Sequence, residues 1–499
     1  MVSKNETKNK LYFGDNLDIL RDKITDNSVD LIYLDPPFQS GKNYNQIFQP
    51  EQGEAKGATA QIKAFEDTWY WGVEAEKSYE GLITGSITKE KPNQKLIDLM
   101  KSMRSYLGEV PLMAYLSMMS PRLLEMKRVL KNTGSIYLHC DPTASHYLKL
   151  LMDAVFGTAN FRNEIVWHYP SMSRTNKDFP RKHDTIFRYS MSDVWTFNWE
   201  QILIPYAEST ISRAVYGGAG FEGKEGKKQY LTKSGKIPDT VWDIPHIKSK
   251  NESVGYPTQK PEKLLERIIK ASSNKGDVVL DPFCGCGSSV AVSQKLGRRW
   301  IGVDITYLAI DVISKRLEAN NYIKGKDFVV EGEPRDFYSA EKLARQAPFQ
   351  FEFWCVAKMD ATPSPRQTGD EGVDGVLNFV DYSKKDKAGK GIIQVKGGQS
   401  INPSMVRDLK GTLKSQNADF GILIMLKKPT RGMIAEATKE GSFDFQLMKE
   451  SKVQKIPRIQ FLTAEDLFKD PLPIKTPSSI ISPYKKPPIT EEADQTPLF

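Results

Sequence analysis

The most informative segment of the chain is Asp277-Val278-Val279-Leu280-Asp281-Pro282-Phe283-Cys284-Gly285-Cys286-Gly287-Ser288-Ser289. The apolar run at its beginning predicts a buried strand, and the aspartate, proline and glycines that follow predict a tight turn. Small residues in such a turn let a backbone approach a ligand closely, and a helix is expected to begin near Ser288. Ligands of open α/β sheets lie outside the carboxyl ends of the strands, so we expect a ligand site at this turn.

The next predicted strand strengthens this interpretation. Arg299-Trp300-Ile301-Gly302-Val303-Asp304 ends in an acid about twenty residues beyond the glycine turn, the spacing at which a carboxylate reaches ribose hydroxyls in nucleotide-binding folds. A glycine-rich turn alone is weak evidence, because doubly wound folds bind many cofactors.

A second strand end carries a different chemistry. The apolar run Val29-Asp30-Leu31-Ile32-Tyr33-Leu34 is followed by Asp35-Pro36-Pro37-Phe38. An exocyclic base amine is a poor nucleophile, so a site that alkylates it needs hydrogen-bond acceptors for the amino hydrogens and a flat surface for the flipped base. Asp35 offers a carboxylate, Pro36 a carbonyl in a turn that Pro37 stiffens, and Phe38 a stacking face. The alternative is a rigid turn without catalytic function.

Asp35-Pro36-Pro37-Phe38 resembles the Asp-Pro-Pro-Tyr/Phe motif of the DNA amino-methyltransferases, which modify adenine N6 or cytosine N4. The segment 256–265, which contains Thr258 and Lys260, is similar to the S-adenosylmethionine-proximal motif of these enzymes. The catalytic motif precedes the cofactor motif, as in the permuted β class, and Gly14-Asp15 matches the N-terminal cofactor contact of that class. The resemblance implies Asp35, Pro36, Pro37 and Phe38 as catalytic residues and Asp15, Thr258, Lys260, Asp281, Phe283, Gly285, Gly287 and Asp304 as S-adenosylmethionine-binding residues.

The fold expected from this resemblance is α/β, with a Rossmann-like methyltransferase domain over residues 1–320. We expect an insertion at about 49–110 and a target-recognition region at about 168–250, where β-class enzymes carry it. The latter region interleaves basic and aromatic residues, which suits phosphate contact and groove insertion; a solvated charged surface is the alternative. Residues 321–350 are a predicted connector, and the proline-, lysine- and serine-rich residues 469–499 a flexible tail.

Residues 351–468 carry a second set of candidate site residues. Asp374 supplies a carboxylate, Gln394 a side-chain carbonyl and Lys396 a cation, and the last two share one face of a predicted strand. Such oxygen ligands hold Mg²⁺ beside a phosphate, so Asp374 and Gln394 are the candidate metal ligands. With Glu352, these residues resemble the Mrr-type branch of the α/β PD-(D/E)xK nuclease fold, in which Gln replaces an acid. The alternative is a nuclease-like domain that only binds DNA.

Two local features lie outside these motifs. Residues 115–130 have the apolar spacing of a helix, and Pro121 within them predicts that the regular helix begins there, with Ser120 as its cap. His139 ends the next predicted strand, and we expect it to be hydrogen-bonded there rather than to line a pocket.

Composition limits which cellular location and which binding partners are expected. The 499 residues carry 70 Lys and Arg against 62 Asp and Glu, a net charge of +8 that suits a nucleic-acid partner. Four cysteines form no disulfide framework or zinc pattern, the beginning of the chain has no signal-peptide pattern, and no run has membrane-spanning length. We therefore expect a cytoplasmic protein, associated with the nucleoid, that acts on double-stranded DNA and not at a membrane; a homodimer is left open.

The predicted function is site-specific DNA methylation from S-adenosylmethionine, with an Mg²⁺-dependent endonuclease domain as a further expectation. Adenine N6 is the favoured target, because family members acting on cytosine N4 more often begin the catalytic motif with serine. Cytosine-N4 methylation is the first alternative, and a nuclease that senses S-adenosylmethionine without methyl transfer is the second. RNA is a weaker alternative substrate.

Overall fold

The computed structural model describes residues 8–37, 43–48, 60–66, 70–170, 177–208, 210, 221–222, 228–229, 235–247, 252–254, 256, 258–364, 372–384, 388–398 and 400–481. Strands from the first two thirds of the chain form a nine-stranded sheet, and strands from the last third form a six-stranded sheet. Helices pack on both, so the predicted α/β class is confirmed.

The strands of the nine-stranded sheet are β1 (Asn9–Phe13), β2 (Val29–Leu34), β5 (Leu130–Cys140), β6 (Phe161–His168), β7 (His183–Ser190), β10 (Val241–Asp243), β11 (Val278–Asp281), β12 (Arg299–Asp304) and β13 (Phe328–Glu331). Their order in the sheet is β10-β6-β7-β5-β2-β11-β12-β1-β13. Neighbouring strands are parallel except β7, which is antiparallel to β5 and β6. Two short hairpins stand apart from it, β3 (Asn43–Phe48) with β4 (Ala60–Glu66) and β8 (Phe221–Glu222) with β9 (Lys228–Gln229).

The helices of this part are α1 (Asn16–Lys23), α2 (Val73–Thr84), α3 (Gln94–Leu107), α4 (Pro111–Val129), α5 (Ser145–Phe156), α6 (Glu262–Ser272), α7 (Ser288–Lys295) and α8 (Tyr307–Ala319). The residues of β2 alternate between two hydrophobic clusters: Ile32 and Leu34 pack in the cluster of α1 to α5, whereas Leu31 and Tyr33 pack in the cluster of α6. The sheet is therefore covered on both faces, as parallel strands require. In the part of the chain that the structure describes, no helix has the length and apolar character needed to cross a membrane.

Residues 49–110, predicted as an insertion, contain an integral layer of the fold. Leu82 of α2, together with Leu96 and Met100 of α3, is fully buried in the same cluster as α4 and α5. Apolar side chains at helical spacing drive this packing, so the segment that begins with α2 is part of the core.

The expectation that a helix begins at Pro121 is wrong, because α4 begins at Pro111 and continues through Pro121. Proline removes one hydrogen bond from a helix interior and costs about 3 kcal/mol. Nearly every residue of α4 from Met113 onward is buried, and this packing outweighs the loss. Ser120, the predicted cap, instead donates from its hydroxyl to the carbonyl of Leu116 at 2.7 Å.

The predicted target-recognition region, residues 168–250, is divided between the central sheet and other structure. Its strands β7 and β10 are members of the nine-stranded sheet, since β7 lies between β5 and β6 and β10 extends the edge beside β6. Several basic and aromatic residues of the region, including Arg174, Arg213 and Tyr216, lie outside the described residues. The assignment of this region to DNA recognition stays a prediction.

The six-stranded sheet contains β14 (Thr362–Pro363), β15 (Gly375–Val380), β16 (Ala388–Lys396), β17 (Phe420–Met425), β20 (Ile459–Thr463) and β21 (Ile480–Ile481). Strands β16, β17 and β20 are parallel, and β15 is antiparallel to β14, β16 and β21. The hairpin β18 (Ser442–Phe445) and β19 (Gln454–Pro457) and the helices α9 (Phe337–Gln346), α10 (Pro348–Lys358), α11 (Ser404–Ser415) and α12 (Arg431–Thr438) accompany it.

The predicted connector and tail carry more structure than expected. Within 321–350, β13 pairs with β1 at the edge of the nine-stranded sheet, and α9 packs Ala340 and Ala344 into the second core. Within 469–499, β21 pairs with β15 and Ile480 packs against the same core. Apolar residues at both places find partners far away in sequence, which composition does not show; residues 482–499 lie outside the described range.

Candidate active site

A cavity of about 1180 Å³ opens at the carboxyl ends of four adjacent parallel strands, β2, β11, β12 and β1. Asp35, Asp281, Asp304 and Asp15 each lie at the end of one of these strands or within two residues of it, and all four line the cavity. Pockets for one small molecule measure about 300–1,000 Å³. The cavity therefore has room for a cofactor and a second group of the size of a base.

Asp35 and Lys260 form an ion pair within this cavity, with side chains that are 15 % and 11 % exposed. The ammonium group of Lys260 donates to Oδ2 of Asp35. Oδ1 of Asp35 is buried and has no hydrogen-bond partner within the described residues. An unmet buried acceptor costs about 1–3 kcal/mol, so this oxygen suits a donor carried by a ligand.

Pro36 is buried and Pro37 half-buried beside Asp35, and both line the cavity. Two successive prolines restrict the backbone of this turn and remove two N–H donors from it. Phe38, the predicted stacking residue, lies outside the described residues.

The predicted cofactor turn follows β11 directly. Gly285 and Gly287 have φ of +49° and +73°, in the left-handed region that glycine adopts without strain. A Cβ on Gly287 would lie 2.6 Å from Cγ1 of Ile313, so α8 also requires glycine there. The turn ends with Gly287 as the N-cap of α7, whose first two residues, Ser288 and Ser289, line the cavity.

Asp281 is a buried carboxyl at the base of this turn. Its Oδ1 accepts from the backbone N–H of Phe283 at 3.0 Å, and its Oδ2 accepts from the hydroxyl of Ser289. Burial raises the pKa of Asp281 to about 7, and the nearby carboxylates of Asp35 and Asp304 act in the same direction. A cation bound in the cavity would favour the ionised form, so the site suits a positively charged ligand.

The carboxylate of Asp304 accepts hydrogen bonds from the glycine turn and from the turn that follows β12. Its Oδ2 accepts from the N–H of Gly285 at 2.9 Å, and its Oδ1 accepts from the N–H and hydroxyl of Thr306 at 2.8 and 2.7 Å. Burial raises the pKa of Asp304, whereas these hydrogen bonds lower it. The carboxylate is thereby fixed at the place where the sequence predicts a contact with ribose hydroxyls.

Asp15 is the N-cap of α1 and accepts from the N–H of Leu17 at 2.7 Å. Arg122 of α4 donates to both oxygens of Asp15, at 2.8 and 2.9 Å, and to Oδ1 of Asn16 at 2.5 Å. Asn16 in turn donates to the carbonyl of Pro282 at 2.7 Å. This chain ties the N-terminal cofactor motif to the glycine turn, and Arg122 and Asn16 carry no motif that would identify them from sequence.

Thr258 and Phe283, the other predicted cofactor residues, also line the cavity. Tyr256 is buried next to the glycine turn. A Cβ on Gly285 would lie 3.5 Å from the Tyr256 ring. The structure therefore brings seven of the eight predicted cofactor residues to one cavity, together with Asp35, Pro36 and Pro37, and the eighth, Gly287, lies in the turn next to the lining residues Cys286 and Ser288.

A polar network lies behind Asp35 on the side of β5 and β7. The hydroxyl of Tyr33 contacts Nδ1 of His139 at 3.0 Å, and Nε2 of His139 contacts Asp184 at 3.0 Å. His139 is fully buried, in agreement with the expectation that it is hydrogen-bonded rather than pocket-lining. Tyr169, 3.2 Å from Asp184 through its hydroxyl, and His246, 4.1 Å from Tyr169 between ring centroids, line the cavity. These aromatic surfaces suit a planar base.

The candidate nuclease residues lie together around β15, β16 and α10. Asp374 precedes β15 and accepts from the N–H of Val395 at 2.6 Å; Gln394 and Lys396 lie on β16, with Gln394 only 2 % exposed. Oε1 of Gln394 is buried, and in the described ranges it has no hydrogen-bond partner. Burial raises the pKa of the Cys355 thiol, and the carboxylates of Asp374 and Glu352 add to this, so both lie near Cys355.

Two family models match separate parts of the chain. A family model described as DNA methylase, of the N6 and N4 type, matches residues 29–315, more than half of the chain. A second family model, described as restriction endonuclease, of the Mrr catalytic type, matches residues 344–456.

Three individual methyltransferases show how similar single proteins are to this chain. The DNA adenine methyltransferase YhdJ of Escherichia coli (strain K12) is 29 % identical over 345 residues, which cover 68 % of this chain and 88 % of that protein. The type II methyltransferase M.HpaI of Haemophilus parainfluenzae is 31 % identical over 210 residues, 41 % of this chain and 60 % of the relative. The type II methyltransferase M.BglII of Bacillus subtilis is 26 % identical over 329 residues, 63 % and 71 % of the two chains.

Solved structures with a similar chain path include the PvuII DNA methyltransferase (cytosine-N4-specific), with 14 % identity, a TM-score of 0.35 and coverage of 62 % of this chain and 86 % of that chain. A complex of M1.HpyAVI with S-adenosylmethionine has 16 % identity, a TM-score of 0.34 and coverage of 62 % and 98 %.

Proposed function

This chain belongs to the N6 and N4 DNA methylase family and carries an Mrr-type restriction-endonuclease domain, and we propose that it transfers the methyl group of S-adenosylmethionine to N6 of adenine in double-stranded DNA. The observation that carries this proposal is the pair of oxygens of Asp35. Oδ2 accepts a hydrogen bond from Lys260, and Oδ1 is buried without a partner in the described part of the chain. Asp35 lines the same cavity as the glycine turn and Asp304. Such an acceptor suits the amino hydrogens of a flipped base.

The residues of the chain have separate tasks in this reaction. Asp304 and Asp281 bind the polar groups of the cofactor, and Gly285 and Gly287 let the backbone approach it. Asp35 and the carbonyl of Pro36 accept hydrogen bonds from the amine, which directs the nitrogen lone pair toward the methyl group. Tyr169 and His246 face the base with flat surfaces, and Phe38 is the proposed stacking residue.

S-adenosylmethionine, held by Asp304, Asp281 and the glycine turn, would supply a methyl group on a positively charged sulfur, with S-adenosylhomocysteine as the leaving product. The new N–C bond takes the amine lone pair, and the electrons of the broken C–S bond remain on sulfur. The amine then carries a surplus proton, which passes to solvent. Asp35 stabilises the positive charge that develops on nitrogen in this step.

Adenine is proposed over cytosine for two reasons. The catalytic motif begins with Asp35 rather than serine, and a relative that this chain matches over 88 % of its length is a DNA adenine methyltransferase. We place the reaction in the bacterial cytoplasm, on the DNA of the nucleoid. A homodimer remains a proposal for light scattering to test.

Incubation of the purified protein with unmethylated DNA and methyl-labelled S-adenosylmethionine tests the reaction. Label in N6-methyladenine supports the proposal, label in N4-methylcytosine selects the other base, and cleavage without label selects the nuclease that only senses the cofactor.

The variant Asp35→Asn should lose at least about 100-fold in transfer rate, as when one positioned transition-state partner is removed. It should bind S-adenosylmethionine within about threefold of wild type. Asp193→Asn, at a side chain 97 % exposed, is the control.

We further propose that the C-terminal domain cleaves DNA with Mg²⁺. Asp374 and Glu352 offer the oxygen ligands that Mg²⁺ prefers. Oε1 of Gln394, which is buried and has no hydrogen-bond partner among the residues that the structure describes, offers another. No group of three or more His, Cys, Asp or Glu side chains suited to a metal occurs among the described residues, and the proposed ligand set includes an amide oxygen beside two carboxylates. Mg²⁺, when bound, would polarise the phosphate, and Lys396 would orient water. A gel of duplex DNA with and without Mg²⁺, beside Mg²⁺ binding measured by calorimetry, tests this role.

A further inference from the structure

Helix α10 of the C-terminal domain has one face buried in its own domain and another that lines the methyltransferase cavity. Phe351, Trp354 and Val356 are fully buried in the core of the six-stranded sheet. Phe349, Gln350 and Phe353 lie at the complementary helical spacing and line the cavity of the methyltransferase part. One helix thus belongs to the endonuclease core on one side and to the cofactor cavity on the other.

Gln350 connects this helix to the residue proposed to hold the ribose. Its Oε1 accepts from the backbone N–H of Tyr307, the first residue of α8, at 2.8 Å. The preceding residue, Thr306, donates through its N–H and hydroxyl to Asp304. Gln350 therefore holds the turn that positions the Asp304 carboxylate.

Phe353 continues the contact along the same face. It packs against the small cluster of Tyr256, Cys286, Leu308 and Val312, which lies beneath the glycine turn and the beginning of α8. The contact is apolar and joins the two domains directly beside the cavity.

Two apolar side chains of this region remain exposed within the cavity lining. Ile305 follows Asp304 and is 60 % exposed, and Phe349 of α10 is 46 % exposed. Exposed apolar surface inside a concave site gains free energy when a planar apolar ligand covers it. A purine joined to the ribose at Asp304 reaches the side chains next to that carboxylate.

We propose that α10 of the endonuclease-like domain completes the cofactor site, with Phe349 contacting the purine and Gln350 and Phe353 positioning the turn that holds the ribose. This inference rests on the proposed function, since it assumes that Asp304 holds the ribose of S-adenosylmethionine. Cofactor binding and the docking of the endonuclease-like domain are then coupled, because the ligand contacts both sides of the domain interface.

Calorimetric binding of S-adenosylmethionine and of 5′-methylthioadenosine to the full chain tests the purine contact. Phe349→Ala should weaken both ligands by about tenfold, the scale of one aromatic stack on a base. Equal loss is expected because both ligands carry the adenine, whereas only one carries the amino acid. Tyr338→Ala, at an aromatic side chain that is 79 % exposed on the neighbouring α9, should leave both affinities within about twofold. A loss confined to S-adenosylmethionine, or no loss, overturns the contact.

Hydrogen exchange of the full chain tests the coupling. Saturation with S-adenosylmethionine should slow amide exchange in peptides from residues 348–358, and with Gln350→Ala this protection should decrease although the ligand is saturating. Unchanged exchange of these peptides in the wild-type protein with bound cofactor overturns the coupling.

The two proposals fail in different ways. If the wild-type protein binds neither ligand and labels no DNA, the proposed function is wrong. If it binds both and labels DNA but Phe349→Ala binds both as tightly as wild type, only the purine contact of α10 is wrong.

Discussion

Lys260 donates to Oδ2 of Asp35 across a separation of 225 residues in sequence. The sequence assigns Asp35 to catalysis and Lys260 to cofactor binding, and the ion pair joins these two halves of the site. The pair holds the carboxylate in one orientation, with Oδ1 directed away from Lys260 and buried. Lys260 is therefore a positioning residue for the proposed amine acceptor.

Replacement of Lys260 tests this positioning. Lys260→Met should lower kcat by about 10- to 100-fold, because a catalytic group that is displaced by about 1 Å loses on that scale. Lys260→Arg keeps the charge and should recover part of kcat. Methyl transfer to DNA under saturating cofactor gives the rate, and calorimetry gives the cofactor affinity. If Lys260→Met changes only the cofactor affinity, the sequence-based role of Lys260 is the right one.

Asp281 should make the stability of the cofactor-free protein depend on pH. Its folded-state pKa of about 7 lies above the ordinary value of 3.8, so the folded protein retains a proton that the unfolded chain has lost. The stability that this group contributes is complete below pH about 4 and is lost as pH rises to about 7, on the order of 4 kcal/mol in all. Asp281→Asn should therefore melt at a higher temperature relative to wild type at pH 8 than at pH 5.

Thermal melting at pH 5, 6, 7 and 8 measures this difference, with Asp193→Asn as the exposed control. A difference between Asp281→Asn and wild type that is the same at every pH would contradict a raised pKa for Asp281.

Gly287 should tolerate no side chain, for two separable reasons. Its φ of +73° strains any L residue by roughly 1 kcal/mol, and a Cβ would lie 2.6 Å from Cγ1 of Ile313. Gly276, with φ of +88°, has no atom of the described residues, its chain neighbours aside, within 4 Å of such a Cβ. Gly287→Ala should therefore lower the free energy of unfolding by roughly 2–4 kcal/mol and weaken cofactor binding, and Gly276→Ala should lower it by about 1 kcal/mol only. Denaturant unfolding measures both, and equal losses would remove the contact with α8 from the explanation.

Replacement of Lys396 should affect only one of the two proposed activities, DNA cleavage. Lys396→Ala should reduce Mg²⁺-dependent cleavage by at least about 100-fold and leave methyl transfer within about twofold of wild type. Lys390→Ala, on the same strand, is the matched control, because the ammonium group of Lys390 contacts Gln416 at 3.0 Å instead of a candidate metal ligand. Cleavage that persists in Lys396→Ala would assign nicking to another site or to a contaminant.

The sequence by itself determined the strand ends of the site. Asp35, Asp281 and Asp304 each follow an apolar run, and in a parallel sheet the carboxyl ends of neighbouring strands meet at one edge. Gly285 and Gly287 can also be predicted from the local sequence, because the tight turn after β11 places both residues at positive φ, which glycine adopts without strain. These features depend on short-range geometry, which a single chain segment specifies.

Only the tertiary structure decided which distant side chains meet there. The contacts of Lys260 with Asp35, of Arg122 with Asp15 and of Gln350 with Tyr307 join segments that no periodic pattern relates. The continuation of α4 through Pro121 likewise depends on burial among other helices, which outweighs the local cost of proline. Side-chain partners across a cavity are set by packing of the whole sheet and its helices, and that packing is a property of all segments together.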